Sequence, residues 1–178
     1  YSSLRIPVSW GNLLSDDFKV HPDLMDRVEK ILNWTLDCGM VAIINIHHEN
    51  EWIKQVPTDS KAKEKFTSIW KQICEHFEKY GDHLLFEPMN EIGYDEIWTP
   101  WGGSEADKAK ALGYVNDLNQ LFVDIVRNSG GNNAKRHLLT TPCSRSRMIP
   151  QTDLLLQCIT ILPQTLPYWV EARLSIGV

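Results

Sequence analysis

The fold of this chain is constrained most by a repeated pattern in which short apolar runs end in polar side chains and alternate with amphipathic segments. Residues 41–46 form one such run and residues 84–88 another, and His, Asn or Glu side chains follow each of them directly. Strands that are covered on both faces have apolar sequences without strict alternation. Strands that alternate with helices pair in parallel through right-handed crossovers. The pattern therefore predicts an α/β fold with a parallel sheet.

The predicted order of elements is βαβαβαβ. Helices are indicated by apolar residues at helical spacing, by Pro22 at a first helical position and by Gly39 and Gly81 beyond two helix ends. Ser104, with Asp107 three positions on, forms a weak capping-box pattern that begins the third helix. The predicted strands are 4–10, 41–46, 84–88 and 137–141, and the predicted helices are 22–38, 60–80 and 104–129.

Two sheet architectures are compatible with this order, a barrel and an open doubly wound sheet. No glycine-rich phosphate turn follows a strand, which disfavours the open sheet. Polar groups at the carboxyl ends of successive strands are typical of a (β/α)₈ barrel, which takes about 250 residues. Since this chain has 178 residues, we predict a partial or compact (β/α)₈ TIM barrel with parallel strands. Residues 1–155 are predicted to form the barrel portion, and 156–178 a divergent tail of unclear role.

Composition and charge exclude several classes of function. The net charge is -5 and no basic stripe is present, so no nucleic-acid partner is expected. No apolar run approaches the roughly 20 residues that cross a membrane, so no membrane partner is expected. No signal peptide is visible, and Tyr1 is not an initiator methionine, so the chain looks trimmed. His47-His48 has neither HxH nor HExxH spacing, so no metal site is predicted.

Glu91 is the leading candidate for chemistry, with Asn90 beside it. Cleavage of a glycosidic bond needs one carboxyl group to protonate the leaving oxygen and a second to attack or to activate water. An adjacent amide can hydrogen-bond a sugar hydroxyl. A lone glutamate after a strand is otherwise a helix cap or a solvated carboxylate, but the Asn-Glu pair after 86–89 favours the catalytic interpretation.

His47, His48 and Arg5 are the next candidates. Neighbouring strand residues point to opposite faces, so at most one histidine is expected to face straight into the barrel mouth. We expect His47 to do so and His48 to reach a ligand only if the strand has already ended. An arginine on a strand that enters the core needs a carboxylate partner, and a catalytic one is the economical choice. A core histidine and an arginine at a frayed terminus remain the alternatives.

Tryptophan is abundant, with seven in the chain. Trp10, Trp52, Trp98 and Trp101 fall near strand ends or in loops, where indole rings can stack on the apolar faces of sugars. Packing is the expected role of Trp34 and Trp70, which lie in predicted helices, and the alternative role of the other four. Of these four, Trp52, Trp98 and Trp101 are predicted to bind substrate.

Four segments together resemble glycoside hydrolase family 5, most closely its bacterial endoglucanase and xyloglucanase branch. The resemblance covers about residues 4–155, with the motifs in the family's order and spacing. The segments are Arg5-Ile-Pro-Val-Ser-Trp10, Ile44-Asn-Ile-His-His-Glu49, Phe86-Glu-Pro-Met-Asn-Glu91 and 126–133 followed by Arg136-His-Leu-Leu.

The resemblance implies a role for each matching residue. Glu91 matches the general acid/base, Asn90 the amide that holds the 2-hydroxyl, Arg5 the arginine that orients the nucleophile, and His47 the subsite histidine. His48 and Trp52 match positions that line the substrate cleft. The family also implies a retaining endo-β-1,4-glucanase (a cellulase) that acts extracellularly on β-glucan polysaccharides or oligosaccharides and needs no cofactor.

The chain departs from the family pattern in its last part. The family's nucleophile is a late glutamate, and Glu171 is a weak candidate because its surroundings do not match. Glu87, Glu49 or a second chain could supply this carboxylate instead, although Glu87 is expected to pair with a buried cation. The alternative to an enzyme is a non-catalytic glucan-binding fragment, or one that forms homo-oligomers through open sheet edges.

Overall fold

The computed structural model describes residues 2–92, 94 and 103–140. Within them, strands and helices alternate as predicted, with two differences. The first strand ends at Val8 and not at residue 10, because a 3₁₀ turn begins at Trp10, and a short helix that was not predicted, Asn50–Ile53, follows the second strand. The elements are β1 (Ser3–Val8), the 3₁₀ helix η1 (Trp10–Leu13), α1 (Pro22–Asp37), β2 (Val41–Ile46), α2 (Asn50–Ile53), α3 (Ser60–His76), β3 (Leu84–Glu87), α4 (Glu105–Asn128) and the 3₁₀ helix η2 (Gly131–Ala134).

The sheet is parallel, with the strand order β1-β2-β3. The predicted fourth strand over 137–141 is reduced, in the described residues, to one parallel bridge between Phe86 and Leu138. The Leu139 amide donates to the Phe86 carbonyl at 2.9 Å. Thr141 lies outside the described residues. The chain after η2 therefore starts to extend the sheet beside β3, which is the position of a fourth parallel strand.

The two faces of the sheet differ in character because side chains alternate along each strand. The face that includes Ile6, Ile44 and Phe86 is fully buried and belongs to the apolar core shared with the helices. The register places Pro7, Asn45 and Glu87 in one row on the opposite face. The helices thus cover one face, and the other carries the polar side chains, as in a barrel with an inner and an outer surface.

Helix boundaries follow the capping signals. Asp59 caps α3 by accepting hydrogen bonds from the amides of Lys61 and Ala62. The predicted capping box at Ser104 and Asp107 is present at the start of α4. The helix predicted over 60–80 ends at His76, so the prediction was four residues too long.

The tryptophans fall in different environments. Trp70 packs in the core between α3 and α4, where its ring contacts Phe122, and Trp10 is fully buried. Trp34, which its helical position predicted to be a packing residue, is instead 58% exposed and lies under the Lys30 ammonium. No helix in the described part of the chain is long and apolar enough to span a membrane.

Arg136 is the buried charge that joins η2 to the α3–β3 connection. Its side chain is 2% exposed, and its guanidinium lies 4.6 Å from the Phe86 ring centre. Burial lowers the pKa of Arg136 to about 10, so it remains charged at neutral pH. Its nitrogens donate to the side-chain oxygen of Asn133 and to the carbonyls of Phe77, Tyr80, Gly81 and Leu84. These bonds fix the loop that leads into β3.

Replacement of Arg136 by Met should lower the free energy of unfolding by about 3–5 kcal/mol, because buried carbonyls would lose their donors. Urea denaturation followed by circular dichroism measures this change. Lys135→Met is the matched control, since Lys135 is exposed and adjacent. An Arg136→Met protein as stable as the control would contradict the stabilising role of the hydrogen bonds from Arg136 to these carbonyls.

A polar cluster joins α1 to α3 on the outside of the sheet. Glu29 accepts hydrogen bonds from the Tyr80 hydroxyl (2.8 Å) and pairs with His76 Nε2 (2.9 Å). Burial alone would raise the pKa of Glu29, but these two partners outweigh it and the net pKa lies below its ordinary value. Burial and the neighbouring carboxylate raise the pKa of Tyr80 to about 12.

The contribution of Glu29 to stability should depend on pH in a defined direction. A carboxyl whose pKa is lowered by folding stabilises the protein above its unfolded pKa, and this contribution disappears as the pH falls through the folded value. Glu29→Gln should therefore be less stable than the unsubstituted chain at pH 7, by about 1 kcal/mol or less, and equally stable near pH 3. Melting temperatures between pH 3 and pH 7 test this, with the exposed Glu75→Gln as control. A constant difference across the range would contradict the assignment.

Candidate active site

The carboxyl ends of the three strands are tied together by backbone hydrogen bonds. The His47 amide donates to the Val8 carbonyl at 2.9 Å, which joins the ends of β1 and β2. The Asn90 amide donates to the Ile46 carbonyl at 2.8 Å, which joins the end of β2 to the loop after β3. The segments that carry the predicted site residues therefore meet at one edge of the sheet.

Arg5 connects β1 to β3 and to the loop beyond it. Its Nε donates to Glu87 Oε2 at 2.7 Å, and its Nη2 donates to Asn90 Oδ1 at 2.8 Å. The predicted carboxylate partner is thus present, but in the described residues it is Glu87 and not Glu91. Both members of the ion pair are largely buried, with side chains 16% and 13% exposed. The expectation that Glu87 pairs with a buried cation is confirmed.

Asn45 lies between these two strands and was not predicted as a site residue. It is fully buried, and its Nδ2 donates to Glu87 Oε2 at 3.1 Å and lies 3.4 Å from His47 Nδ1. The signal was available in the sequence, since a single amide interrupts the otherwise apolar β2. Its parity along the strand matches that of His47, so both face the polar side of the sheet.

The backbone of Glu91 is held by hydrogen bonds, whereas the residue itself is exposed. Its carbonyl accepts from Asn50 Nδ2 at 2.6 Å, and the preceding residue, Asn90, is held by β2 and Arg5. The next residue, Ile92, is buried in the core. The Glu91 residue itself is exposed at the sheet edge, so its carboxyl is accessible to a ligand.

His47 and His48 lie on the same side of the chain, which differs from the expectation for neighbouring strand residues. β2 ends at Ile46, and His48 adopts a left-handed backbone with φ 55°. The turn brings the two imidazole rings to 4.3 Å in an edge-on arrangement. His47 is buried and His48 exposed, so His47 is the inward residue, as predicted, and His48 lies beside it at the rim.

Trp52 lies on α2 close to these histidines and is half-buried. Its Nε1 donates to Glu49 Oε2 at 2.7 Å, and the Lys65 ammonium lies 4.1 Å from its ring centre. Burial raises the pKa of Glu49, although hydrogen bonds from Gly11 and Trp52 and the charge of Lys65 act in the opposite direction. Burial also lowers the pKa of Lys65. The Lys65 ammonium thus lies over one face of the Trp52 ring, and the half-buried side chain also packs against the core.

Three predicted residues, Trp98, Trp101 and Glu171, lie outside the described residues. Among the residues that are described, no three His, Cys, Asp or Glu side chains come together as metal ligands.

Sequence reasoning missed Asn45, Asn50, Gly11 and Lys65. Asn50 and Lys65 act through contacts between loops and helices that are distant in sequence, so no local pattern indicates them. A close approach of backbone is one reason for a glycine, but Gly11 alone does not reveal which side chain approaches it.

Comparison with known proteins identifies the family of the chain. The sequence model of Cellulase (glycosyl hydrolase family 5) matches residues 1–144. The cellulase/esterase CelE of Acetivibrio thermocellus is 40% identical over 146 residues, covering 78% of this chain and 17% of that protein. Endoglucanase A of Ruminococcus albus is 39% identical over 153 residues, covering 83% of this chain and 41% of that protein.

A solved structure shares the fold. The structure of ZgEngAGH5_4 in complex with a cellotriose superposes with a TM-score of 0.71 at 32% identity, covering 86% of this chain and 49% of that one. This chain therefore spans less than half the length of each of these relatives. The prediction of a partial TIM barrel with parallel strands is confirmed. On these grounds the chain belongs to glycosyl hydrolase family 5, the Cellulase family.

Proposed function

We propose that this chain contributes to endo-hydrolysis of β-1,4-glucan by a retaining double displacement, with Glu91 as the general acid/base. The observation that carries the proposal is the arrangement of Asn90 and Glu91, in which Arg5 and β2 hold the amide while the neighbouring carboxyl remains exposed. A rigid amide beside an accessible carboxyl suits a site that binds a sugar hydroxyl and protonates the adjacent glycosidic oxygen.

The other proposed roles follow from where each side chain lies. Arg5 holds Asn90 and Glu87 in place, and His47, buried beside Asn45, forms the floor of the sugar site. His48 and Trp52 line the cleft at the rim, and Trp98 and Trp101 are proposed to extend it.

The proposed ligand is a β-glucan polysaccharide or oligosaccharide, and the proposed location is extracellular. The ligand is supported by a structural relative that is described in complex with a cellotriose. The location is supported by relatives that are endoglucanases, because a polymer such as cellulose is degraded outside the cell. Residues 1–155 are proposed as the barrel portion and 156–178 as a separate tail.

A retaining mechanism also requires a second carboxyl group about 5–5.5 Å from the first. Glu87 and Glu49 are engaged with Arg5 and with Gly11 and Trp52, which leaves neither free to attack a sugar carbon. We propose that this group comes from outside the described residues, with Glu171 as the candidate in this chain.

Replacement of Glu91 by Gln should lower kcat on carboxymethylcellulose and soluble β-glucan by about 10²–10⁴-fold, because an amide cannot transfer the proton. KM should change little, since the shape of the side chain is kept. Release of reducing ends measures both constants. Glu51→Gln, an exposed glutamate on α2, is the matched control.

The same assay decides between the proposed function and its alternatives. Activity that survives Glu91→Gln would refute the acid/base role, and activity that survives Glu171→Gln would refute the proposed nucleophile. A folded chain that binds insoluble glucan without releasing reducing ends would support the glucan-binding alternative and contradict hydrolysis by this chain.

We also propose that the chain forms homo-oligomers through its sheet. In the described sheet β1 is an edge strand, and an edge strand offers backbone groups to a strand from another molecule. Light scattering after size exclusion should give at least twice the monomer mass at about 100 μM and a lower mass on dilution. A monomer mass throughout that range would refute self-association.

A further inference from the structure

Glu49 is a buried carboxylate that the proposed reaction does not use. It follows His48 directly and is 8% exposed. Its Oε1 accepts from the Gly11 amide at 2.8 Å, and its Oε2 accepts from Trp52 Nε1 at 2.7 Å. Lys65 Nζ lies 4.0 Å from Oε2. One side chain therefore joins η1, α2 and α3 behind the rim of the candidate site.

The contact with Gly11 depends on the absence of a side chain there. A Cβ at this position would lie 2.5 Å from Glu49 Oε2, which is closer than real Cβ contacts. Burial raises the pKa of Glu49 and so favours its neutral form. The hydrogen bonds from Gly11 and Trp52 and the charge of Lys65 favour the carboxylate. A buried carboxyl group with both oxygens hydrogen-bonded is held in one position by its partners, unlike a solvated side chain.

Glu49 directly follows a strained turn at His48. The left-handed backbone of His48 (φ 55°) is unfavourable for a residue with a Cβ and persists where the flanking chain is held in place. Before the turn, His47 is held by Val8 and Ser9, through its amide at 2.9 Å and its carbonyl at 3.0 Å. After the turn, the side chain of Glu49 is held by its hydrogen bonds from Gly11 and Trp52.

Trp52 depends on the same carboxylate. Its indole N–H is donated to Glu49, and the Lys65 ammonium covers one face of its ring. These two contacts fix the orientation of the indole ring, and with it the direction in which each ring face points. Without the acceptor, the ring would keep only the Lys65 ammonium and its packing against the core as restraints, and neither fixes the direction of the indole N–H.

We propose that Glu49 is a positioning residue that sets the affinity for a β-glucan chain by fixing the Trp52 indole and the turn at His48. The inference rests on the proposed function, since it assumes that this rim contacts the glucan. Glu49 acts through Trp52 and touches no reacting atom.

The first test is Glu49→Gln. Glutamine keeps the volume and can accept from Gly11, but its amide nitrogen then meets the Trp52 N–H as donor against donor. We expect the dissociation constant for cellotriose, measured by calorimetry, to rise about five- to tenfold, as for the loss of one hydrogen bond. The Trp52 indole N–H, followed by NMR and assigned with Trp52→Phe, should lose its protection from exchange. Glu51→Gln should leave both quantities unchanged.

A double-mutant cycle separates positioning from general damage to the fold. If Glu49 acts through Trp52, then Glu49→Gln should weaken binding little further when Trp52→Phe is already present. An equal loss of affinity in both backgrounds would mean that the carboxylate supports the fold without positioning the indole, and it would overturn the proposal.

A second variant covers the case in which Glu49→Gln does not fold. Gly11→Ala keeps Glu49 but places a methyl group against its carboxylate, and it should weaken cellotriose binding by a similar factor. Gly113→Ala is its matched control, since a Cβ there meets no atom within 4 Å.

The outcomes distinguish the two proposals. If the unsubstituted chain binds cellotriose and both Glu49→Gln and Gly11→Ala bind it equally well, the positioning role is refuted and the proposed function stands. If the folded, unsubstituted chain does not bind cellotriose, the proposed glucan site is refuted and the positioning role with it.

Discussion

The ion pair between Arg5 and Glu87 is the interaction on which the arrangement of the candidate site depends. The two residues lie on β1 and β3, so the pair spans the strand between them. Charges that are mostly buried are costly unless they are paired and hydrogen-bonded. Asn45 donates to the same Glu87 oxygen as Arg5, and Asn90 accepts from Arg5 Nη2. The register of three strands is thereby coupled to the position of the amide beside Glu91.

This coupling explains how a loop residue can be held as firmly as a strand residue. Catalytic groups on loops need support from rigid elements if they are to act on a substrate. Asn90 receives that support from the backbone of β2 and the side chain of Arg5, and Glu91 receives it through its carbonyl from Asn50. Glu91 is therefore exposed on a segment whose backbone is held in place.

The sequence predicted the elements well because the determinants of each are local. Apolar runs and helical periodicity located β2 and the starts of α1 and α3, and Ser104 with Asp107 located the start of α4. The predicted end of α3 was too late. The helix ends at His76, and Tyr80 lies beyond it, where its hydroxyl donates to Glu29 and Asn33 of α1. The sequence motifs also identified the residues at the sheet edge, but not their partners. The Arg5–Glu87 pair and the left-handed turn at His48 arise from strand register and loop packing, and no local pattern encodes either of them.

The charges at the sheet edge constrain how the site can work. Among the described residues, Glu49, Glu87 and Glu91 lie near it, and the first two already accept hydrogen bonds from buried donors. Glu87 neutralises Arg5, and Glu49 accepts from a backbone amide and an indole. A nucleophile must approach the sugar carbon with a free lone pair. If Glu87 or Glu49 moved to do so, the buried N–H groups that it now accepts from would lose that acceptor. Glu91 is accessible, but one carboxyl group cannot be both acid and nucleophile in the same step. In the proposed reaction, the described part of the barrel would supply Glu91 as the acid and a surface for the sugar, and the attacking group would come from residues beyond it.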